Sequence, residues 1–222
     1  AAMTKPILRD YQRTAASEVL AHLDGGRCTL LVAPTGSGKT IMFADVAATY
    51  AASGLRVLIV AHRRELLTQA HDKLSRAGVG ASIYRGKRAP FAPSNVVVAS
   101  VQTGAPPGFD ANLLVIDEAH HAPADGYRRL VVQQPNAVVL GATATPWWQS
   151  SRPLDDLFPA TVRASNVRDL TAAGHLARVR MFTHPHTLRD LDLRGVATAA
   201  GDYAVGAVSG RVDKPALLGD MV

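Results

Sequence analysis

Apolar positions along this chain follow two alternating patterns. Five short runs, residues 28–32, 57–61, 96–100, 113–116 and 137–142, are apolar almost without interruption and rich in Val, Leu and Ile. Runs this short, with no polar alternation, are what strands of a parallel sheet buried on both faces require. Between them lie stretches with helical spacing. Tyr11, Ala15, Val19 and Leu23 share one face of a helix that Asp10 is expected to cap and Gly25-Gly26 to end. Residues 41–50 keep a helical apolar pattern, and residues 63–77 turn Leu66, Leu67, Ala70 and Leu74 to one side, with Gly78 as the stop. The strand, turn, helix, strand order predicts an α/β domain of three layers with a mainly parallel central sheet.

Beyond Pro146 the pattern weakens. Residues 154–158 and 166–174 are expected as short helices and 177–183 as a strand. Residues 184–210, rich in Gly, Ala and Thr, have little periodicity and are expected as an extension or linker leading to a last helix near Asp213. The expected boundaries are a domain over residues 1–182 and an extension over 183–222.

Composition narrows the class. With 222 residues, 47% hydrophobic and 19% charged, the chain has enough apolar mass for one sizeable core and too much to be disordered. No apolar run approaches the roughly 20 residues that span a bilayer. The single Cys28 falls in the first predicted strand and is read as a small core residue, which implies a reducing, cytoplasmic setting. Ala1-Ala2 ahead of Met3 read as residues added by cloning. A net charge of +6 favours a polyanionic partner, although an Arg-rich surface alone gives the same sum. The clusters Arg85-Lys87-Arg88 and Arg128-Arg129 are read as solvated faces. His184 and His186 lack a third ligand at metal spacing and are not taken as a metal site.

The chemistry is concentrated in two segments. Ala33-Pro34-Thr35-Gly36-Ser37-Gly38-Lys39-Thr40 follows the first strand and opens a helix. A triphosphate can be held by backbone N–H groups only where side chains leave room, which Gly36 and Gly38 provide, and the helix start adds its positive end. Lys39 supplies a point charge for the β- and γ-phosphates, and the Thr40 hydroxyl is placed to ligate Mg²⁺. Much later, the run 112–116 ends in Asp117-Glu118-Ala119-His120. A carboxylate at the carboxyl end of a strand beside a phosphate loop is where a nucleotide-bound metal needs a second anchor, so Asp117 is the metal candidate. Glu118 is placed to orient and deprotonate an attacking water.

These two segments together resemble the DEAD/DEAH-box group of superfamily 2 helicases and translocases. Four more segments follow in the family's order around them. Leu8-Arg9-Asp10-Tyr11-Gln12 resembles the adenine-reading "L-R-x-Y-Q" segment, and residues 60–66, Val-Ala-His-Arg-Arg-Glu-Leu, resemble motif Ia. Ala99-Ser100-Val101-Gln102-Thr103 resembles motif Ib, and Gly141-Ala142-Thr143-Ala144-Thr145-Pro146 resembles motif III. The branch with restriction-enzyme motor subunits and repair helicases matches best. The resemblance implies a RecA-like, P-loop ATPase that binds Mg-ATP and nucleic acid, DNA ahead of RNA. It implies an ATP site of Arg9, Gln12, Pro34, Thr35, Gly36, Ser37, Gly38, Lys39 and Thr40, with Thr40 and Asp117 at the metal and Glu118, Lys39 and His120 as catalytic groups. Arg63, Arg64 and Thr103 would lie on the nucleic-acid face, while Thr143 and Thr145 would couple the two sites.

Departures from the family pattern are few. Ala33 replaces the first Gly of the loop, Trp147-Trp148 follow motif III where polar residues are usual, and 103–110 is too short for a helix often found there. Family members have a second RecA-like domain carrying an arginine finger in a "Q-x-x-G-R-x-x-R" segment. That segment is absent from this sequence, so residues 1–222 are expected to be the first motor domain of a longer protein. The alternative is a nucleotide-gated nucleic-acid-binding module without unwinding activity. A GTPase is excluded by the lack of an Asn/Thr-Lys-x-Asp base-reading segment.

Overall fold

The structure, a computed structural model, describes residues 7–61, 66–86, 91–92, 94–122, 124–146, 154–178, 198–199 and 202–203. Arg63, Arg64, Lys87, Arg88, Trp147, Trp148, His184, His186, the side chain of Leu66, most of the expected strand at 177–183 and the expected last helix lie outside the described residues. The chain divides into two compact units, residues 1–176 and 177–222.

The first unit runs α1 (Asp10–Asp24), β1 (Thr29–Val32), α2 (Lys39–Ala52), β2 (Val57–Ala61), α3 (Leu66–Arg76), β3 (Ala81–Tyr84), β4 (Val96–Ser100) and β5 (Leu113–Asp117). It continues through a 3₁₀ turn (Ala119–His121), α4 (Asp125–Gln133), β6 (Val138–Thr143), a second 3₁₀ turn (Leu154–Asp156), β7 (Ala160–Arg163) and α5 (Val167–Ala172). The seven strands form one sheet in the order β3-β4-β2-β5-β6-β1-β7, and every pairing is parallel. In the second unit the described residues are a two-stranded antiparallel ribbon, β8 (Thr198–Ala199) with β9 (Asp202–Tyr203). Among the described residues no helix is long and apolar enough to cross a membrane.

The uninterrupted apolar runs are explained by two cores, one on each face. Successive strand side chains point to opposite faces. Val57, Ile59, Leu113 and Val115 therefore join the core under α1, α2 and α3, with Val19, Phe43, Leu67 and Leu74. Leu58, Val60, Leu114 and Ile116 join the other, against Tyr127 and Leu130 of α4 and Leu154 and Phe158 near the second 3₁₀ turn. Cys28 sits just ahead of β1, half-buried, where its Sγ accepts the Val139 N–H at 3.4 Å.

Three elements escape the sequence pattern, and all are peripheral. β3 and β7 are the sheet edges, and β7 alternates buried and exposed residues instead of running apolar throughout. Helix α4 buries only Tyr127 and Leu130 and leaves Val132 exposed, so its apolar stripe is too short to announce a helix. The expected Asp10 cap is also corrected. Helix α1 starts at Asp10 with Arg9 in extended geometry at the cap, and the Arg9 N–H donates to Gln12 Oε1 at 2.9 Å. Asp10 instead stands in the first turn, where its charge suits the helix dipole. Both expected short helices form: residues 154–156 as a 3₁₀ turn, and α5, capped by Asn166 accepting from the Asp169 N–H at 2.9 Å.

Gly141 of β6 is packed too closely for a side chain. A Cβ there would lie 2.6 Å from Phe158 Cζ and 2.8 Å from Ala119 Cβ. Gly141→Ala is thus expected to destabilise the domain by about 1–3 kcal/mol and lower Tm by several degrees, as read by thermal denaturation. Gly80→Ala, with no atom within 4 Å of the new methyl, is the control and should leave Tm nearly unchanged.

Candidate functional site

The strand order builds the site. β6 lies between β5 and β1, with Asp117 opposite Ala142 and Val32 opposite Thr143. The phosphate loop after β1, the carboxylates after β5 and motif III at the end of β6 therefore leave the sheet side by side, although far apart in sequence. The Ala33 N–H donates to Thr143 O at 3.0 Å and continues the ladder into the loop.

The loop owes its shape to two glycines and a buried serine. Gly36 and Gly38 have φ of 81° and 87°, left-handed values that side-chain-bearing residues avoid. Ser37, nearly fully buried, donates from both N–H (3.0 Å) and Oγ (2.5 Å) to Pro34 O, closing the turn. Gly38 is the cap of α2, so the first N–H groups of that helix have no partner within it and face the loop.

Gln12 locks this loop to α1. Its Nε2 donates to Ser37 O at 2.8 Å and, more weakly, to Tyr11 Oη at 3.3 Å, while Tyr11 Oη itself donates to Ser37 O at 2.7 Å. A Cβ on Gly38 would stand 2.5 Å from Gln12 Nε2, so the contact demands glycine. Arg9, one turn ahead, is exposed.

A cleft of about 490 Å³ opens in front of the loop, lined by Thr35, Gly36, Gly38, Lys39, Thr40, Asp117 and Glu118. The loop residues Pro34 and Ser37 and the pair Arg9 and Gln12 do not line it; they support it from behind or beside. Asp117 is half-buried, and its Oδ1 accepts the Glu118 N–H at 3.0 Å. Burial raises its pKa first and the neighbouring Glu118 carboxylate second, against the Glu118 N–H bond, Lys39 and Lys73, which lower it. Thr40 and Asp117 thus present two hard oxygen donors in one cleft, which fits Mg²⁺, an ion that keeps several waters. Glu118 adopts φ 53°, the only non-glycine residue with positive φ among those described. That conformation costs roughly 1 kcal/mol and turns its carboxylate into the cleft.

His120 ties the carboxylates to motif III. The Thr143 hydroxyl donates to Thr145 O at 3.0 Å, so it accepts from His120 Nδ1 at 3.1 Å, which places the proton on Nδ1. The same Nδ1 lies 3.4 Å from Glu118 Oε2. Thr103 sits just past β4 on the same edge of the sheet, its Oγ1 2.8 Å from Ser100 Oγ.

Sequence reasoning missed four parts of this neighbourhood. Tyr127 of α4 lies buried near Asp117 and Glu118, and burial followed by those two charges pushes its phenol pKa far up, so it stays neutral. Tyr11, placed on the apolar face of α1 and in the L-R-x-Y-Q segment, was given no role of its own at the loop. Leu176 packs on the loop, its Cδ2 3.1 Å from where a Cβ on Gly36 would be. Lys73 and Arg76 of α3 line the cleft, and nothing in their sequence context separates them from ordinary surface cations.

Residues 5–147 match the family described as type III restriction enzyme, res subunit. Among curated proteins, the chain is 30% identical over 158 residues to the DNA 3'-5' translocase XPB2 of Sulfurisphaera tokodaii, covering 70% of this chain and 34% of that protein. It is 27% identical over 193 residues to the general transcription and DNA repair factor IIH helicase/translocase subunit XPB of Encephalitozoon cuniculi, covering 78% and 29%. The chain thus spans about a third of the length of these relatives. Among solved structures, the UvsW helicase of bacteriophage T4 superposes with a TM-score of 0.59 at 20% identity, covering 70% of this chain and 59% of that one. The Type ISP restriction-modification enzyme LlaGI superposes with a TM-score of 0.59 at 18% identity, covering 77% and 21%. The chain belongs to the type III restriction enzyme res-subunit family, and its fold is the N-terminal RecA-like domain of a superfamily 2 helicase.

Proposed function

We propose that this chain is the ATP-binding first motor domain of a DNA helicase or translocase, hydrolysing Mg-ATP to drive movement along a strand. The observation that carries the reading is the single cleft in which Lys39 and Thr40, at the start of α2, stand with Asp117 and Glu118, at the end of β5. A phosphoryl-transfer site needs those parts: a cradle for the phosphates, an anchor for the metal and a base beside it. Thr40 and Asp117 would hold Mg²⁺, which neutralises phosphate charge when bound. Lys39 binds the β- and γ-phosphates, and Glu118 takes a proton from the attacking water. His120, donating between Glu118 Oε2 and Thr143 Oγ1, carries a change at the γ-phosphate into motif III.

The reading of the track as DNA has two supports: the XPB2 relative is a DNA translocase, and the structural neighbour LlaGI was solved with a DNA substrate mimic. Arg63, Arg64 and Thr103 are the proposed contacts, to the strand backbone rather than its bases. Full turnover is proposed to need a second RecA-like domain, reached through residues 183–222. An arginine from such a domain would be worth roughly 10³–10⁵ in rate.

Lys39→Ala removes an ammonium without altering the loop backbone. Affinity for Mg-ATP is expected to fall about 10- to 100-fold with Tm unchanged, as titration calorimetry and thermal melting would show. Equal affinity in both proteins would overturn the reading.

Asp117→Asn separates stability from function. The native-state pKa of Asp117 is raised above its unfolded value, so its ionised form costs stability above that pKa, and the cost is relieved as pH falls through it. Asn keeps the Oδ1 acceptor for the Glu118 N–H. The variant is expected to melt higher than wild type at neutral pH, with the gap closing at acidic pH, while its Mg-ATP affinity drops.

Gln12 keeps one Oε1 lone pair free and has a long bond to Tyr11 to exchange, so an adenine edge can both donate to it and accept from it. Guanine has a carbonyl in place of the amino donor. Gln12→Ala is expected to weaken ATP binding about tenfold and to bring ATP and GTP affinities together. Wild-type protein that binds both equally would remove Gln12 from base recognition.

A further inference from the structure

The nucleotide cleft has a second source of positive charge that its motifs do not contain. Lys73 and Arg76 line it together with Ile41, Ala77, Lys39, Asp117 and Glu118. They lie three residues apart near the end of α3, so they project from one side of the helix. Leu67 and Leu74 on its other side, and Ala77 just past its end, are buried in the core, which fixes the rotation of the helix and the direction of both cations. Both residues are exposed, so neither has a desolvation cost to recover, and among the described residues neither forms a salt bridge. Lys73 stands close enough to Asp117 to influence its charge, alongside Lys39.

The cleft has an order along its length. The loop and Lys39 hold one end of a polyphosphate chain, and Asp117 with Glu118 mark the end where the terminal phosphate is attacked. Two carboxylates there would repel that phosphate unless cations offset them. We propose that Lys73 and Arg76 bind the terminal phosphate of the nucleotide, as a second cationic wall of the same cleft supplied by this domain. The proposal rests on the ATP-binding reading above and adds what distinguishes the triphosphate from the diphosphate. An ammonium and a guanidinium reaching a phosphate oxygen form charge-assisted hydrogen bonds, and these exist only while the third phosphate is present.

The test compares Mg-ADP with the Mg complex of a non-hydrolysable β,γ-imido ATP analogue, by titration calorimetry on residues 1–222. Lys73→Gln combined with Arg76→Gln is expected to weaken the analogue about tenfold and ADP by less than about twofold. The charge-preserving exchange Lys73→Arg with Arg76→Lys should restore most of the preference. Arg27→Gln, which removes a charge ahead of β1 at the opposite edge of the sheet, should change neither affinity. Unchanged analogue affinity in the double Gln variant, or equal losses for both nucleotides, would overturn the proposal. Lys39→Ala in the same series keeps the two readings separable. If it weakens both nucleotides while the double Gln variant matches wild type, only the terminal-phosphate assignment fails; if it changes nothing, the ATP site itself is wrong.

Discussion

All seven strands of the main sheet are parallel, and the rest of the molecule follows from that. Parallel strands must be covered on both faces, because their connections are helices that cross over the sheet. Every carboxyl end then leaves along one edge, with no packing partner of its own. Here that edge gathers the loop after β1, the carboxylates after β5 and the threonines after β6. The insertion of β6 between β5 and β1 sets their spacing, and the cleft is the gap that results.

The site is stabilised from behind and strained in front. Gln12, Tyr11 and Ser37 form a hydrogen-bonded support under the phosphate loop. On the cleft side, Glu118 takes a left-handed backbone and Asp117 carries a charge that burial disfavours. Both features cost folding energy, offset only in part by the Glu118 N–H bond to Asp117 and the His120 contact to Glu118. Such features cluster at functional sites, which is the physical sense of the roles proposed for Asp117 and Glu118.

The cleft carboxylates and motif III are joined through His120. A single Nδ1 proton lies between a carboxylate that lines the cleft and a hydroxyl buried in motif III. Because Thr143 already donates to Thr145, it can only accept from His120, so the network has one polarity.

Much of this was legible in the sequence. The five buried strands announce themselves because a residue in the middle of a parallel sheet meets an apolar core whichever way it points, so Val57–Ala61 and Leu113–Asp117 carry almost no polar residue. The loop is legible because φ near +80° leaves glycine as the ordinary choice at 36 and 38. What stayed hidden depends on distance rather than spacing. Edge strands β3 and β7 face a core on fewer sides and lose the apolar signature, and α4 buries only two side chains. Lys73 and Arg76 look like any surface pair until α3 is docked by Leu67 and Leu74, which alone turns them into the cleft. Which segments are strands, and where a glycine loop opens a helix, can be read along the chain, since those follow from local geometry and from which faces are buried. Only the tertiary structure decided which neighbours complete the site, because that is set by the order of strands in the sheet, an arrangement that no local spacing encodes.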